Sequence, residues 1–311
     1  MIVQAVQAAS FGFLALFAGN GRPVATTCAL SRRTAWFETM VETISHDEGL
    51  LLPEDSQILN RFFRSITASA APLLLLDYDG TLAPFRVNRF EAVPWPGVRD
   101  LLNRIQAQSR TRLAVITGRP AAEIEPLLAL NQPVEVWGLH GFERLYPDGR
   151  RELEPVSLGA RKILDELHTA LHRDAFGGLF EPKPNAAVMH WRGIPSPEAA
   201  IIEQRTLALF EPITQLEEFR ILPFEDGVEL RVGRDKGEAV AMLLDECNRC
   251  GPAAFLGDDL SDEAAFRAIH GHGLSVLIRP EYRETVADLW LKPPAELLNF
   301  LICWLHAASR S

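Results

Sequence analysis

Four consecutive leucines, Leu73 to Leu76, stand between Pro72 and the stretch Asp77-Tyr78-Asp79-Gly80-Thr81-Leu82. A run this short and wholly apolar has no polar face to offer solvent, so it reads as a strand covered on both sides, as in a parallel sheet. An open α/β sheet does its chemistry beyond the carboxyl ends of its strands. That end here carries two carboxylates one residue apart. Gly80 permits a sharp turn and lets backbone N–H groups approach an anion closely. Asp and Gly are also ordinary turn residues, so this stretch alone leaves a plain turn as a second reading.

Other strand ends repeat the pattern. Arg112 to Ile116 reads as a buried strand ending in Thr117-Gly118-Arg119-Pro120. Pro120 suits the first turn of a helix, and Thr117 can cap near it. A hydroxyl and a glycine fed into a helix start suit an anion, and equally a simple cap. Val134 to Leu139 reads as a third strand, ending in His140-Gly141. Ala253 to Leu256 is a fourth, ending in Gly257-Asp258-Asp259-Leu260-Ser261-Asp262-Glu263, and Ser275 to Ile278 a fifth. Helical spacing marks Gly97 to Gln108, Gly237 to Leu244 and Pro294 to Leu305. In a parallel sheet these ends share one edge. Asp77, Asp79, Asp258, Asp259 and Asp262 would then crowd together and could not all ionise without a cation. Oxygen donors with no Cys and little His favour Mg²⁺ over zinc or copper. Lys236 supplies the fixed positive charge expected beside a transferring phosphoryl group.

The pattern changes between about Glu152 and Val232. Leu158 to Leu171 is an amphipathic helix. Gly178 to Lys183 and Ala186 to Arg192 read as strands, Glu198 to Phe210 as a helix, and Phe219 to Pro223 and Gly227 to Val232 as two more strands. Paired strands of this kind predict an antiparallel sheet with helices on one face, inserted into the alternating part as a separate unit. Residues two apart on a strand share a face. That puts Glu181 with Lys183, His190 with Arg192, and Glu229 with Arg231. Such polar pairs suit a hydroxyl-rich ligand, and also an ordinary solvent-facing sheet.

The 311 residues are 47% apolar and 23% charged, an ordinary globular balance, with a net charge of -10 that disfavours a nucleic-acid partner. Cys28, Cys247, Cys250 and Cys303 are too few and scattered for a disulfide framework. The Cys247–Cys250 pair reads either as two plain thiols or as half of a metal or redox site. Phe11 to Ala18 is too short to span a bilayer and lacks a preceding basic residue, so residues 1–65 read as an ill-defined leader in which Met40 is an alternative start. Within it, Glu54 to Ser65 reads as a short helix leading into the core. The expected protein is cytoplasmic, with no membrane partner.

Taken together, Asp77-x-Asp79-Gly-Thr, Thr117, Lys236 and Gly257-Asp258-Asp259 with Asp262 resemble the successive motifs of the haloacid dehalogenase (HAD) phosphatases. The fold this implies is α/β: a Rossmann-like core with a parallel sheet, residues 66–150 and 234–311, plus an inserted α/β cap with an antiparallel sheet, residues 151–233. Glu181-x-Lys183, His190-x-Arg192, Glu229 before Lys236-Gly237, and Gly138-Leu139-His140-Gly141 are similar to signatures of the trehalose-6-phosphate phosphatases. Thr117 stands where Ser is common in that family and keeps the hydroxyl. The resemblance implies that Asp77 is the nucleophile and Asp79 the acid/base. It also implies that Thr117, Gly118 and Lys236 hold the phosphoryl oxygens. Mg²⁺ would lie among Asp77, Asp79, Asp258 and either Asp259 or Asp262. Arg119, His140, Glu181, Lys183, His190, Arg192 and Glu229 would join Gly118 in binding the sugar phosphate. A trehalose-6-phosphate synthase is the implied pathway partner, in trehalose biosynthesis. Hydrolysis of another glycosyl phosphate, such as sucrose phosphate or a glycosyl-phosphoglycerate, and a non-catalytic sugar-phosphate-binding module are the alternatives.

Overall fold

The structure is a computed structural model, and it describes residues 53–86, 88–173, 176–248 and 251–309. Helix α1 (Pro53–Ala68) leads into β1 (Leu73–Leu76), followed by α2 (Val98–Gln108), β2 (Arg112–Ile116), α3 (Ala121–Leu128) and β3 (Glu135–Gly138). A hairpin, β4 (Glu143–Leu145) and β5 (Arg151–Leu153), comes next. Then follow α4 (Leu158–Arg173), β6 (Phe180–Lys183), β7 (Ala186–His190), α5 (Ser196–Phe210), β8 (Phe219–Phe224) and β9 (Gly227–Val232). The chain ends with α6 (Lys236–Glu246), β10 (Ala253–Gly257), α7 (Glu263–Ile269), β11 (Gly273–Ile278), β12 (Leu289–Leu291) and α8 (Ala295–Ala308).

The eight-stranded sheet has the order β12-β11-β10-β1-β2-β3-β4-β5, parallel from β12 to β3. Only the β4–β5 hairpin runs antiparallel. The leucine run is the central strand, paired on one side with β10 and on the other with β2. Its period-2 alternation divides it between two layers. Leu74 and Leu76 face the layer containing α1, α2 and α8, while Leu73 and Leu75 face α6 and α7. Both faces are therefore dry, as an unbroken apolar run requires. The segment expected as a short helix forms most of α1, and it buries Leu59, Phe63 and Ile66. Phe63 packs on Phe300 of α8 with ring centroids 5.3 Å apart. The apolar stretch Phe11 to Ala18, Met40 and Cys28 lie outside the described residues, as does Cys250. Among the described residues no helix is long and apolar enough to cross a membrane.

The smaller sheet is antiparallel throughout, in the order β6-β7-β9-β8. One face buries Phe180, Ala187, Met189, Val228, Leu230 and Val232 against α4 and α5. The opposite face carries Glu181, Val188 and Glu229 in one cross-strand row. It turns toward the carboxyl ends of the large sheet. Two details differ from the sequence expectation. Strand β7 stops at His190, and the chain turns there, so Arg192 does not share a strand face with His190. The three-residue strands β4, β5 and β12 were not anticipated, because so short a segment carries no readable alternation.

Candidate active site

The end of β1 delivers Asp77, whose N–H still bonds to the Leu256 carbonyl of β10 at 2.8 Å. Gly80 follows at φ +82°, and a Cβ there would collide with the Asp258 carboxylate. No other residue fits a turn of this hand with a second acid packed against it. Asp262 is wholly buried. Its Oδ2 accepts the N–H groups of Asp258 and Asp259, each at 3.0 Å. Lys236, the first residue of α6, donates to Asp77 Oδ1 and Asp262 Oδ1, both at 2.7 Å. The helix start that aims it is fixed by a capping box between Asp235 and Glu238.

Asp77, Asp258 and Asp262 offer carboxylate oxygens within 4.8 Å of one another. Three buried acids against one ammonium leave negative charge uncompensated. Burial pushes Asp77 up to about 7 although Lys236 opposes it, and the neighbouring acids push the same way. Burial and the charges of Asp77, Asp262 and Asp259 also hold Asp258 well above the usual carboxylate range. A donor set made only of oxygens, short of positive charge, fits a hard divalent cation. The side chains of Asp79 and Asp259 stand outside this cluster. Asp79 accepts from Arg119 Nε and Nη2 at 2.6 Å each. Asp259 caps the turn that follows it, taking the Leu260 N–H at 2.7 Å.

The end of β2 supplies Thr117, buried, with its Oγ1 accepting the Arg119 N–H at 3.2 Å. Its carbonyl accepts the His140 N–H at 2.8 Å, and Arg119's carbonyl accepts that of Leu139 at 2.9 Å. Leu139 and His140 both lie in the left-handed region, at φ +50° and +58°. For a branched residue such as Leu139 this is a strained conformation, held by the surrounding bonds. The turn presses the His140 ring over Gly118, where a Cβ would come within 2.6 Å of Nε2. Burial pushes His140 down to about 4, with Arg231 and Lys183 helping and Glu229 opposing. At neutral pH the ring is uncharged.

The small sheet contributes the facing wall. Lys183 Nζ donates to Glu229 Oε2 at 3.1 Å and to the Gly118 carbonyl at 3.3 Å, so it spans the two sheets. Glu229 Oε2 also faces His140 Nε2 at 3.5 Å, while its Oε1 is buried and accepts no hydrogen bond. Burial alone would raise the Glu229 carboxyl. Lys183, His140 and Arg231 outweigh it and keep the group well below its usual range. Glu181 is hydrogen-bonded to His190 at 2.9 Å and to Arg89 Nη1 at 2.7 Å. These partners and Lys183 overcome burial and hold it at about 2. Arg192 reaches the same opening from the turn after β7, bonded to Asp226 and lying 4.4 Å above the Phe85 ring.

These groups enclose one cleft of about 570 Å³. Asp77, Asp79, Thr117, Gly118, Arg119, His140, Lys236, Asp258 and Asp259 line it from the large sheet, and Glu181, Lys183, His190, Arg192 and Glu229 from the small one. Asp262 lies beneath, under Lys236. Sequence reasoning did not single out Phe85, Arg86, Arg89 or Phe224, which also line the cleft. Arg86 and Arg89 had a usable signal: they are the first cations after Asp77 in an acidic chain. Cys247, by contrast, is far from this chemistry, with its sulfur 3.5 Å from Arg112 Nη1.

A family model described as trehalose-phosphatase matches residues 75–288. A trehalose-phosphate phosphatase of Mycobacterium marinum is 28% identical over 244 residues, which cover 74% of this chain and 60% of that protein. The chain thus spans about 60% of the length of the curated relatives it matches first. Among solved structures, the C-terminal domain of a C. albicans trehalose-6-phosphate phosphatase superposes with a TM-score of 0.68 at 20% identity, covering 80% of this chain and 96% of that one. A haloacid dehalogenase-like hydrolase from B. subtilis superposes with a TM-score of 0.52 at 17% identity, covering 74% and 98%. These two likenesses carry the fold, a parallel-sheet core with an inserted α/β cap. With two-thirds of its length inside the family model, the chain belongs to the trehalose-phosphatase family.

Proposed function

We propose that the protein is a Mg²⁺-dependent phosphatase that hydrolyses trehalose 6-phosphate to trehalose and phosphate. The observation that supports this most is the polar face of the small sheet closing over Asp77. A buried, unbonded acceptor on Glu229 sits in that face, ready for a sugar hydroxyl. The core is residues 66–150 and 234–311 with α1 packed onto it and β5 (Arg151–Leu153) added to its sheet, so the cap begins after β5 rather than at 151, and its own elements run from α4 to β9.

In this reading Asp77 attacks phosphorus in line, and the bond from phosphorus to the sugar oxygen breaks. Asp79 gives its proton to the departing alkoxide. It then takes a proton from the water that attacks the aspartyl phosphate, which frees phosphate and restores Asp77. The Thr117 hydroxyl, the Gly118 N–H and Lys236 hold the phosphoryl oxygens throughout. Asp77, Asp258 and the Asp79 carbonyl would hold Mg²⁺, with Asp262 and Asp259 behind them, and the ion would neutralise charge on the phosphoryl group and Asp77 together. Arg119, His140, Glu181, Lys183, His190, Arg192 and Glu229 orient the sugar. The working compartment is the cytoplasm, with a trehalose-6-phosphate synthase supplying the substrate.

The test is phosphate release from a panel of sugar phosphates with Mg²⁺ and with EDTA. Trehalose 6-phosphate should be the fastest substrate, and EDTA should stop the reaction. Faster release from sucrose phosphate or a glycosyl-phosphoglycerate would reassign the substrate. No release from any ester would favour a binding module instead.

A further inference from the structure

One guanidinium in the cleft has no role in the reaction just described. Arg89 lies in the loop after β1, and its fork serves two sheets at once. Nε and Nη2 donate to Glu123 Oε2 at 3.1 and 2.6 Å. Nη1 donates to Glu181 Oε1 at 2.7 Å. Glu123 stands in the first turn of α3, on the large-sheet side, while Glu181 lies on β6 of the small sheet. The main chain of Arg89 makes a third link. Its carbonyl accepts from Arg119 Nη1 at 2.7 Å, and the other two nitrogens of Arg119 grip Asp79. Asn88 fixes the direction of that carbonyl, because its side chain accepts the Phe90 N–H at 3.1 Å and donates to Glu91 at 2.9 Å. An unbroken series of charge-assisted bonds therefore runs from the cap carboxylate, through Arg89 and Arg119, to Asp79.

We propose that Arg89 and Glu123 are positioning residues that set the sugar-facing carboxylate Glu181 and the proton-transfer group Asp79 in register. Glu123 anchors the guanidinium to the core, and the guanidinium holds the cap strand over the cleft. A planar fork can serve two carboxylates in fixed directions, which a lysine ammonium cannot. The role rests on the phosphatase reading and deepens it, because it concerns when Asp79 is competent rather than what it does. A sugar alkoxide needs a proton as it leaves, so its departure depends on this alignment. p-Nitrophenolate leaves without one and does not need the cap.

The experiment compares Arg89→Ala, Arg89→Lys and Glu123→Gln with the wild-type chain, using trehalose 6-phosphate and p-nitrophenyl phosphate in Mg²⁺. Arg89→Ala and Glu123→Gln should lower kcat on the sugar phosphate about tenfold, with KM changed by about twofold or less. The loss on p-nitrophenyl phosphate should be smaller by about fivefold. Arg89→Lys should recover only part of the loss. The double variant Arg89→Ala/Glu181→Ala should be no slower than Glu181→Ala alone, since both changes cut the same link. Equal losses on the two esters, an effect confined to KM, or additive losses in the double variant would overturn the proposal.

Hydrogen exchange without substrate gives a second readout that does not depend on the reaction. Peptides covering 85–92 and 180–183 should exchange faster in Arg89→Ala and Glu123→Gln than in the wild type, with the melting temperature little changed. Unchanged exchange would overturn the coupling even if the enzyme is active. If the wild-type chain releases no phosphate from trehalose 6-phosphate while exchange does accelerate, the substrate reading fails and the coupling stands.

Discussion

Arg119 grips both carboxylate oxygens of Asp79, Nε to Oδ2 and Nη2 to Oδ1, each at 2.6 Å. In this arrangement both oxygens are acceptors. In the proposed reaction one of these bonds gives way so that an Asp79 oxygen can carry the proton while the other keeps the carboxylate aligned, and an incoming phosphoryl dianion would give the freed nitrogen another partner. Asp79 and Arg119 thus form one contact beside Asp77, the proposed nucleophile, which Lys236 holds at 2.7 Å.

That geometry separates the two steps of the proposed reaction. Asp77→Asn should abolish turnover while the melting curve stays close to that of the wild type, because the amide cannot form an acyl phosphate. Asp79→Asn should lose about 10²- to 10⁴-fold on trehalose 6-phosphate. With p-nitrophenyl phosphate it should still release a stoichiometric burst of p-nitrophenolate and then stall, since nothing deprotonates the second-step water. Steady turnover by Asp77→Asn, or the absence of a burst in Asp79→Asn, would contradict the assigned roles.

The acid cluster makes a prediction about stability as well as activity. Asp258 is buried beside Asp77 and Asp262, whose carboxylates share the Lys236 ammonium. Its carboxyl is pushed well above its unfolded range, so at neutral pH the ionised form costs the fold free energy. Asp258→Asn should therefore be inactive yet more stable than the wild type in EDTA, by about 1–4 kcal/mol. Mg²⁺ should raise the melting temperature of the wild type and leave that of the variant unchanged. A Mg²⁺ shift of the same size in both proteins would remove Asp258 from the metal site.

Lys183 and Glu229 form an ion pair on the small sheet, and Lys183 also reaches across to the Gly118 carbonyl, so variants of the pair should have two effects. Glu229→Gln keeps the shape but leaves the Lys183 ammonium, only 10% exposed, without its anion. It should destabilise the fold by about 1–3 kcal/mol. It should also lower kcat/KM for trehalose 6-phosphate more than for p-nitrophenyl phosphate, because only the sugar needs the cap. Equal losses on the two esters would mean that the pair serves folding alone.

The large-sheet part of the candidate site was legible because its acids and Thr117 follow the ends of apolar runs, with Lys236 the exception at a helix start. Leu73 to Leu76, Arg112 to Ile116 and Ala253 to Leu256 announce strands, and a parallel sheet brings their ends together. The cap residues Glu181, Lys183 and Glu229 were legible from their two-residue spacing together with the family resemblance. What the sequence hid is the direction of individual side chains. Asp79 and Asp259 look equivalent to Asp258 in a string of acids, yet one is turned toward Arg119 and the other spent on a turn cap. Arg192 reaches the cleft from a turn rather than a strand face, and Arg89 and Glu123 meet across 34 positions of chain. Such pairings depend on tertiary placement, which no local period records.

His140 sets a pH dependence whose sign is fixed by its burial. The ring titrates near 4 in the fold against an ordinary value of 6.5. As pH falls from 6.5, the unfolded chain therefore takes up a proton before the native one does. Stability from this group is fully present above pH 6.5, declines as pH drops toward 4, and stops declining below that, with a limit of about 3 kcal/mol. The groups facing the ring are Glu229, whose carboxyl is held well below its usual range, and the cationic side chains of Lys183 and Arg231. His140→Asn isolates the effect, since Asn tolerates the left-handed backbone at this position and does not titrate. Urea midpoints measured at pH 7.5 and pH 5 should fall more for the wild type than for His140→Asn. Matching falls in the two proteins would mean that the imidazole is not held neutral by the cleft.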